Sequence, residues 1–255
     1  MTLDMIFDLS VWGSLLVICA LSFVHLTIHR WRFLQGPAAT HWLSFSAGTA
    51  LAYVFAYLMP KLATIQVKLA PVADASEGFL RQHAYLLALA GLVTFFGLNR
   101  YTSTGPSEMA NPHVFNNRVV LLQLIGYSLY SAQLGYLVTE LSQPGFASYT
   151  LVAVILSLHL MGINHHLHHR SPIAYLKMLR YAYTVALFCG WLAGVMTANV
   201  GLFIMLTTTF VAGGIIITAL REELPREGES HSIAFYLSIV LSTAAILFAQ
   251  SMQQA

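Results

Sequence analysis

The sequence predicts an all-α integral membrane protein with eight transmembrane helices in a single domain, residues 1–255. Of its 255 residues, 57% are hydrophobic and only 9% are charged, whereas soluble domains carry about 25% charged residues. The mean hydropathy is +0.69, and the apolar residues form long runs instead of the alternating or amphipathic patterns of soluble elements. This composition excludes a soluble enzyme, a nucleic-acid-binding protein and a disordered chain.

Eight apolar stretches are long enough to cross a bilayer, which takes about 20 mostly apolar residues in a helix. Turn-forming pairs separate several of them, in chain order Gly36-Pro37, Gly105-Pro106, Pro144-Gly145 and Ser171-Pro172. The uncharged stretch 181–220 is about twice as long as one crossing, so it must turn back. The predicted spans are 6–28, 40–60, 79–98, 116–139, 146–165, 174–196, 201–220 and 232–250.

The basic residues predict the orientation of the spans, because Lys and Arg are enriched in cytoplasmic loops. Nine of the twelve basic residues lie in the loops after spans 1, 3, 5 and 7. We therefore expect a multi-pass protein of the cell (inner or plasma) membrane with both termini outside the cytoplasm. Asp4 and Asp8 stand where a secretory signal would carry basic residues, so the first span is expected to be retained. The nine residues are Arg30, Arg32, Arg100, Arg118, Arg170, Lys177, Arg180, Arg221 and Arg226.

Spans 2 and 7 share a pattern at a constant offset of 165 residues. Span 2 reads F-S-A-G up to Gly48 and reaches Pro60 twelve residues later, and span 7 reads F-V-A-G up to Gly213 and reaches Pro225 at the same distance. In the predicted topology these two copies cross the membrane in opposite directions, which is typical of the inverted repeats of secondary transporters. Chance similarity between two helices rich in small residues is the alternative. The repeat leaves spans 4 and 5 in the middle, where the substrate site is expected.

The polar residues limit what such a site can bind. All ten acidic residues lie outside the interiors of the predicted spans. This distribution argues against a proton relay through Asp or Glu and against a site for calcium or magnesium. Imidazole, hydroxyl, amide and backbone groups remain as ligands, and these suit zinc, copper or iron better.

Histidines are concentrated at the end of span 5, where His159 is followed by His165, His166, His168 and His169. At 100° per residue, His159 and His166 lie about 20° apart around the helix and His169 lies about 60° further round. These three are predicted to line a path from the middle of the membrane to the cytoplasm. The alternatives are that His159 is a hydrogen-bonded core residue and that the histidines beyond it simply face water.

The sequences of spans 2 and 7, FSAGTALAYVFAYLMPKL and TFVAGGIIITALREELPRE, resemble the second and seventh helices of the ZIP family of divalent-metal transporters. The resemblance implies a 3+2+3 arrangement with an inverted repeat and a metal site on helices 4 and 5. It also implies that Zn²⁺, or Fe²⁺ or Mn²⁺, is carried as a substrate, with no structural cofactor and no enzymatic activity. The implied partners are the lipid bilayer and the metal ion, and a homodimer is left open.

The chain departs from the family pattern at the ligands themselves. The fourth-helix pattern H-N-x-x-D-G corresponds here to residues 130–135, of which only Gly135 is retained. The fifth-helix pattern H-E-x-P-H-E corresponds to residues 159–164, which keep His159 and end on the amide of Asn164. A binuclear, carboxylate-bridged zinc centre cannot be built from these residues. The implied metal ligands are His159, Asn164, His165, His166 and His169, and the implied transport path includes His25, Tyr57, Tyr130, Ser131 and Gly135.

Three functions follow as expectations. The first is a ZIP-like transporter of a divalent transition metal such as zinc, with a reduced metal site. The second is a ZIP-fold membrane protein that no longer transports metal and acts as a scaffold, as a metal sensor through its cytoplasmic histidines, or as a carrier of a less charged solute. The third is a b-type haem protein, which would need His25 or His29 opposite His159 at matched depth.

Overall fold

The computed structural model describes residues 9–36, 38–69, 83–104, 117–139, 146–196, 202–220 and 231–252. Nearly all residues in these ranges are helical and none of them forms a strand, which confirms the all-α fold class. Two short 3₁₀ turns, Ile28–Arg30 and Arg32–Leu34, connect the first long helix to the second. The long helices are α1 Leu9–Thr27, α2 Ala39–Leu69, α3 His83–Thr104, α4 Asn117–Thr139, α5 Phe146–Arg170, α6 Pro172–Met196, α7 Leu202–Thr218 and α8 Ser232–Met252.

Within the described ranges, six helices are long and apolar enough to cross a membrane: α1, α2, α3, α5, α6 and α8. The protein is therefore a multi-pass membrane protein. Helix α7 contributes only the shorter apolar segment Met205–Thr218, and α4 carries Gln123 and Gln133, both of which are buried. Eight crossings, the orientation of the termini and the identity of the membrane stay predictions.

The helices pack in two groups of four. In one group α4 packs along α6, and α1 packs along α5 and α6; in the other α3 packs along α7, and α2 packs along α8. The contact between α2 and α5 is the largest that joins the two groups. Small residues allow this close packing, since a Cβ atom on Gly190 of α6 would overlap the backbone carbonyl of Ala132 in α4.

Histidines mark one end of the bundle. The rings of His29 at the end of α1 and His168 in the last turn of α5 have centroids 6.2 Å apart, and those of His41 and His231 at the starts of α2 and α8 are 3.9 Å apart. We call this end the histidine end and the opposite end the far end. Helices α2, α4, α6 and α8 run from the histidine end to the far end, and the other four run in the reverse direction.

Helix α2 changes its winding near its middle. It is α-helical over Ala39–Tyr53, π-helical over Val54–Leu58 and α-helical again over Met59–Leu69. Residues 219–220, which follow α7, are also π-helical. A π-helical turn widens the helix locally, and such turns occur frequently at functional sites.

Candidate functional site

His159 lies in the middle of α5 at the boundary between the two helix groups. Its side chain is 0% exposed, and its ring packs against Tyr53 of α2 and Tyr130 of α4, with centroids 6.1 and 6.2 Å away. Tyr57, one turn after Tyr53, stacks on the Tyr53 ring at 5.3 Å. The structure thus places Tyr53 and Tyr130 against His159, and it places Tyr57 against Tyr53.

Small residues of α2 set the distance between this helix and α5. The hydroxyl of Ser46 donates a hydrogen bond of 2.6 Å to the carbonyl of Leu158, so α2 is fixed directly beside the residue that precedes His159. Residues 46–50 of α2 are all buried. Because their side chains are small, the α2 backbone can approach α5 closely enough for Tyr53 to reach the imidazole.

Ser131 and Gly135 serve the packing of α4 and do not contact His159 in the interactions described. The buried hydroxyl of Ser131 donates to the carbonyl of Tyr127 at 2.8 Å, inside the same helix. A Cβ atom on Gly135 would overlap the carbonyl of Leu187 in α6. The glycine that matches the ZIP pattern therefore permits the close crossing of α4 and α6.

An apolar crevice leads from the far end toward His159. It lies between α2, α4, α5 and α8. Tyr53 and Tyr57 line it, together with Val152 and Ile155 of α5 and Gln250 of α8. Since Tyr53 also contacts His159, this residue separates the crevice from the buried imidazole.

Asn164 lies on another face of α5 and belongs to a separate polar cluster. Its Oδ1 atom is 2.8 Å from His25 Nδ1 in α1 and 2.8 Å from the hydroxyl of Tyr175 in α6. Its amide nitrogen donates to the Leu160 carbonyl at 2.8 Å. The sequence groups Asn164 with His159 as a ligand, but the structure pairs it with His25.

The histidines beyond Asn164 form a looser group at the histidine end. The rings of His165 and His169 have centroids 4.3 Å apart, and those of His168 and His169 are 6.0 Å apart. His166 is exposed. The predicted wall of His159, His166 and His169 is therefore divided between a buried residue on α5 and exposed residues about two to three turns further along it.

The described residues contain no Asp or Glu, and no group of three or more His, Cys, Asp or Glu side chains within them is close enough to hold a metal ion. A metal ion at His159 would have one imidazole and neutral oxygen donors around it. Without an opposite charge to offset its desolvation, a divalent cation is bound weakly there.

The haem expectation can be compared with this geometry for His25 and His159. His25 packs against Tyr183, with ring centroids 5.9 Å apart, whereas His159 packs against Tyr53 and Tyr130. The two histidines thus face different helices, which gives the haem alternative no support. Among known proteins, neither a family model nor a curated protein matches the chain. The resemblance to the ZIP family therefore rests on the sequence patterns alone.

Proposed function

We propose that the protein is a membrane carrier with a ZIP-like inverted repeat, and that it moves a divalent transition-metal ion such as zinc past His159. Helices α1–α3 and α6–α8 form the two repeats in this proposal, and α4 and α5 lie between them. The substrate passes along the boundary between the two helix groups. A series of matched contacts between the repeats supports this arrangement.

Eight helix contacts form four pairs whose members replace each other when the repeats are exchanged. Exchanging α1 with α6, α2 with α7, α3 with α8 and α4 with α5 turns the contact of α2 with α8 into that of α7 with α3. In the same way, the α4–α6 contact becomes the α5–α1 contact, and the α2–α5 contact becomes the α7–α4 contact. The α3–α4 contact becomes the α8–α5 contact. All eight of these helix pairs are in contact. This correspondence is what an inverted repeat requires.

The correspondence between the two repeats extends to single residues, and this observation carries the proposal. Gly48 and Gly213, which are 165 residues apart, both lie where a Cβ atom would overlap a backbone carbonyl of the neighbouring helix. Their partner positions on α8 and α3 are separated by a constant 147 residues. The π-helical turns begin at Val54 and Ala219, again 165 residues apart. The matched contacts are Gly48 with Phe235 and Ile239, and Gly213 with Ala88 and Leu92.

Two crevices lie along the boundary between the helix groups, in opposite halves of the bundle. The first, described above, opens at the far end between α2, α4, α5 and α8. The second lies in the half nearer the histidine end, between α3, α4 and α7, and includes Gly97, Gly126 and Phe210. Exchange of the repeats maps the helices of the second crevice onto helices of the first. A carrier that opens alternately to the two sides needs such a pair of openings.

A flux measurement tests the proposal. Purified protein is reconstituted in liposomes, and the entry of Zn²⁺, Fe²⁺ and Mn²⁺ is compared with that into empty liposomes. We expect zinc flux that is lost in His159→Ala, because this residue supplies the one imidazole of the site. His83→Ala is the matched control, since it removes an imidazole from the start of α3 and should leave the flux unchanged. Flux that persists in His159→Ala would contradict the proposed path.

The histidine end favours a second candidate, a protein that binds metal without transporting it. The His165 and His169 rings, with centroids 4.3 Å apart, are close enough to share one transition-metal ion with water as the remaining ligands. Absence of flux for every metal, together with zinc binding that is lost when His165 and His169 are both replaced by alanine, would favour this sensor over the carrier.

A further inference from the structure

Arg180 carries a positive charge about two turns into α6. It lies eight positions after Pro172, in a helix that is long and apolar enough to cross the membrane, and this spacing corresponds to about 12 Å along a helix. The Cβ atom of a helical residue tilts toward the start of its helix, so the guanidinium reaches back toward the histidine end. Long basic side chains near the end of a spanning helix place their charge at the depth of the lipid headgroups in this way.

Three groups hold the guanidinium of Arg180 at the contact between α1 and α6. Its Nη1 atom donates to the Leu26 carbonyl at 3.3 Å and lies 3.4 and 3.3 Å from the two ring nitrogens of His29. Its Nη2 atom donates to the hydroxyl of Tyr181 at 2.6 Å, and the guanidinium carbon lies 4.5 Å from the centroid of the Tyr181 ring. These contacts orient the guanidinium, but none of the three partners carries a negative charge.

The charge of Arg180 is not balanced within the described part of the chain. That part contains no Asp or Glu, and the Nε atom of the half-buried Arg180 has no hydrogen-bond partner in it. A guanidinium has five N–H groups, and the contacts with Leu26, His29 and Tyr181 occupy at most three of them. A fixed cation with unused donors at the edge of a membrane is stabilised by an anion that pairs with it.

Two exposed basic residues adjoin this position in the chain. Lys177 precedes Arg180 by three residues on α6, and Arg30 directly follows His29 at the end of α1. The segment Tyr175–Leu179, which carries Lys177, is π-helical, and such turns are frequent at functional sites. Because both helices carry positive charge at the histidine end, a ligand that pairs with Arg180 there is an anion.

Exposed apolar side chains follow on the side of Arg180 that is nearer the far end. Phe23 lies about one turn before Leu26 on α1, and Val185 lies about one turn after Tyr181 on α6. The side chains of Phe23 and Val185 are 59% and 60% exposed, and that of Tyr181 is 49% exposed. Tyrosine is enriched where the headgroups of a bilayer meet its acyl chains. A ligand with an anionic head and apolar tails therefore matches this surface, with its head beside Arg180 and its tails along Phe23 and Val185.

We propose that Arg180, held by His29 and Tyr181, binds the phosphate of an anionic phospholipid in the leaflet at the histidine end. The unused N–H groups of the guanidinium donate charge-assisted hydrogen bonds to the phosphate oxygens, and Lys177 and Arg30 attract the negative headgroup. A zwitterionic lipid carries the same phosphate, but these basic residues repel its ammonium group, so the site prefers anionic lipids. The binding needs no metal ion and does not depend on the proposed transport.

Native mass spectrometry of the purified protein in detergent tests the lipid preference. Phosphatidylglycerol and phosphatidylcholine with identical acyl chains are added in turn, and bound lipids are counted as adducts of the intact protein. We expect the wild type to bind phosphatidylglycerol more tightly, and Arg180→Gln to weaken this binding by at least about fivefold. Arg118→Gln is the matched control, since it removes the same charge from the exposed start of α4 at the histidine end and should leave the binding nearly unchanged.

Competition with inorganic phosphate identifies the source of the anion. Inorganic phosphate should not displace phosphatidylglycerol from the wild type, because it lacks the tails that lie along Phe23 and Val185. Displacement would overturn the proposal in favour of a site for a soluble phosphate.

Photolabelling locates the site on the wild-type protein and keeps the proposal testable if Arg180→Gln does not fold. A phosphatidylglycerol with a photoreactive group on its acyl chain, close to the headgroup, should label the parts of α1 and α6 around Phe23 and Val185. Labelling confined to other helices would overturn the proposal. Equal binding of the two lipids by the wild type, or equal losses in Arg180→Gln and Arg118→Gln, would do the same, since either result reduces the preference to a general attraction between charges.

Discussion

Replacement of Gly213 by alanine tests the helix contacts on which the inverted repeat depends. A Cβ atom there would overlap the Ala88 carbonyl and lie 2.6 Å from the Leu92 nitrogen, about 1 Å short of the ~3.5 Å at which non-bonded atoms normally touch. Because both obstacles are backbone atoms, α3 and α7 must move apart. Overpacking of this kind costs about 1–3 kcal/mol, and alanine recovers about 0.8–1.0 kcal/mol through its higher helix propensity.

Gly97→Ala is the matched control. Gly97 lies in α3, and a Cβ atom on it would have no neighbour within 4 Å. This variant should therefore show only the gain of about 0.8–1.0 kcal/mol in helix propensity. Since both variants share that gain, their difference isolates the close contact, and we expect Gly213→Ala to be less stable than Gly97→Ala by about 1–3 kcal/mol.

The assay is denaturant-induced unfolding in one detergent, followed by circular dichroism, with Gly48→Ala measured alongside. Gly48→Ala should be destabilised in the same way as Gly213→Ala, because a Cβ atom at Gly48 would overlap the Phe235 carbonyl. If Gly213→Ala equals Gly97→Ala in stability, α3 and α7 do not cross closely at this residue. If only one of Gly48 and Gly213 is sensitive, the two contacts are not equivalent and the repeat loses its main support.

Three further variants test separate parts of the structure. Tyr175→Phe removes a buried hydroxyl that lies 2.8 Å from two acceptors, Asn164 Oδ1 and the His25 carbonyl, and should lower the free energy of unfolding by about 0.5–1.5 kcal/mol; an unchanged value would show that the hydroxyl donates to neither of them. Gln133→Leu leaves the Thr208 hydroxyl, to which Gln133 donates, without its partner and should cost about 1–3 kcal/mol in the same assay. Val152→Trp fills the crevice at the far end and should reduce metal flux severalfold while the protein stays folded; normal flux would exclude this crevice from the path.

Hydropathy predicts the bounds of a helix well where the apolar stretch is as long as the helix itself. The predicted span 116–139 corresponds to Asn117–Thr139. The predicted span 146–165 ends five residues before the helix Phe146–Arg170 does, because a run of histidines lowers hydropathy without interrupting helical hydrogen bonds. Span 40–60 is similarly shorter than α2, whose last turns remain helical because Ile65 and Leu69 pack against α3 and α7.

The candidate site could be predicted only in part. His159 is recognisable as a histidine in the interior of an apolar stretch, but Tyr53 reads as one more apolar residue of span 2. Its spacing of four residues from Tyr57 is the one signal that could have identified it, since such pairs lie on the same face of a helix. The partner of Asn164 could not be predicted, because His25 lies 139 residues away in the chain and only the packing of α1 against α5 brings them together.

The spacing of five positions between His159 and Asn164 explains why one helix can serve two sites. At 100° per residue they point about 140° apart around α5, so His159 faces α2 across the group boundary while Asn164 faces α1 and α6 within its own group. A movement of one helix group along the other would change the contact of His159 with Tyr53. It would leave the bond between Asn164 and His25 intact, because both belong to the group that moves. Asn164 and His25 would thus move as a unit with α5, whereas the surroundings of His159 would change.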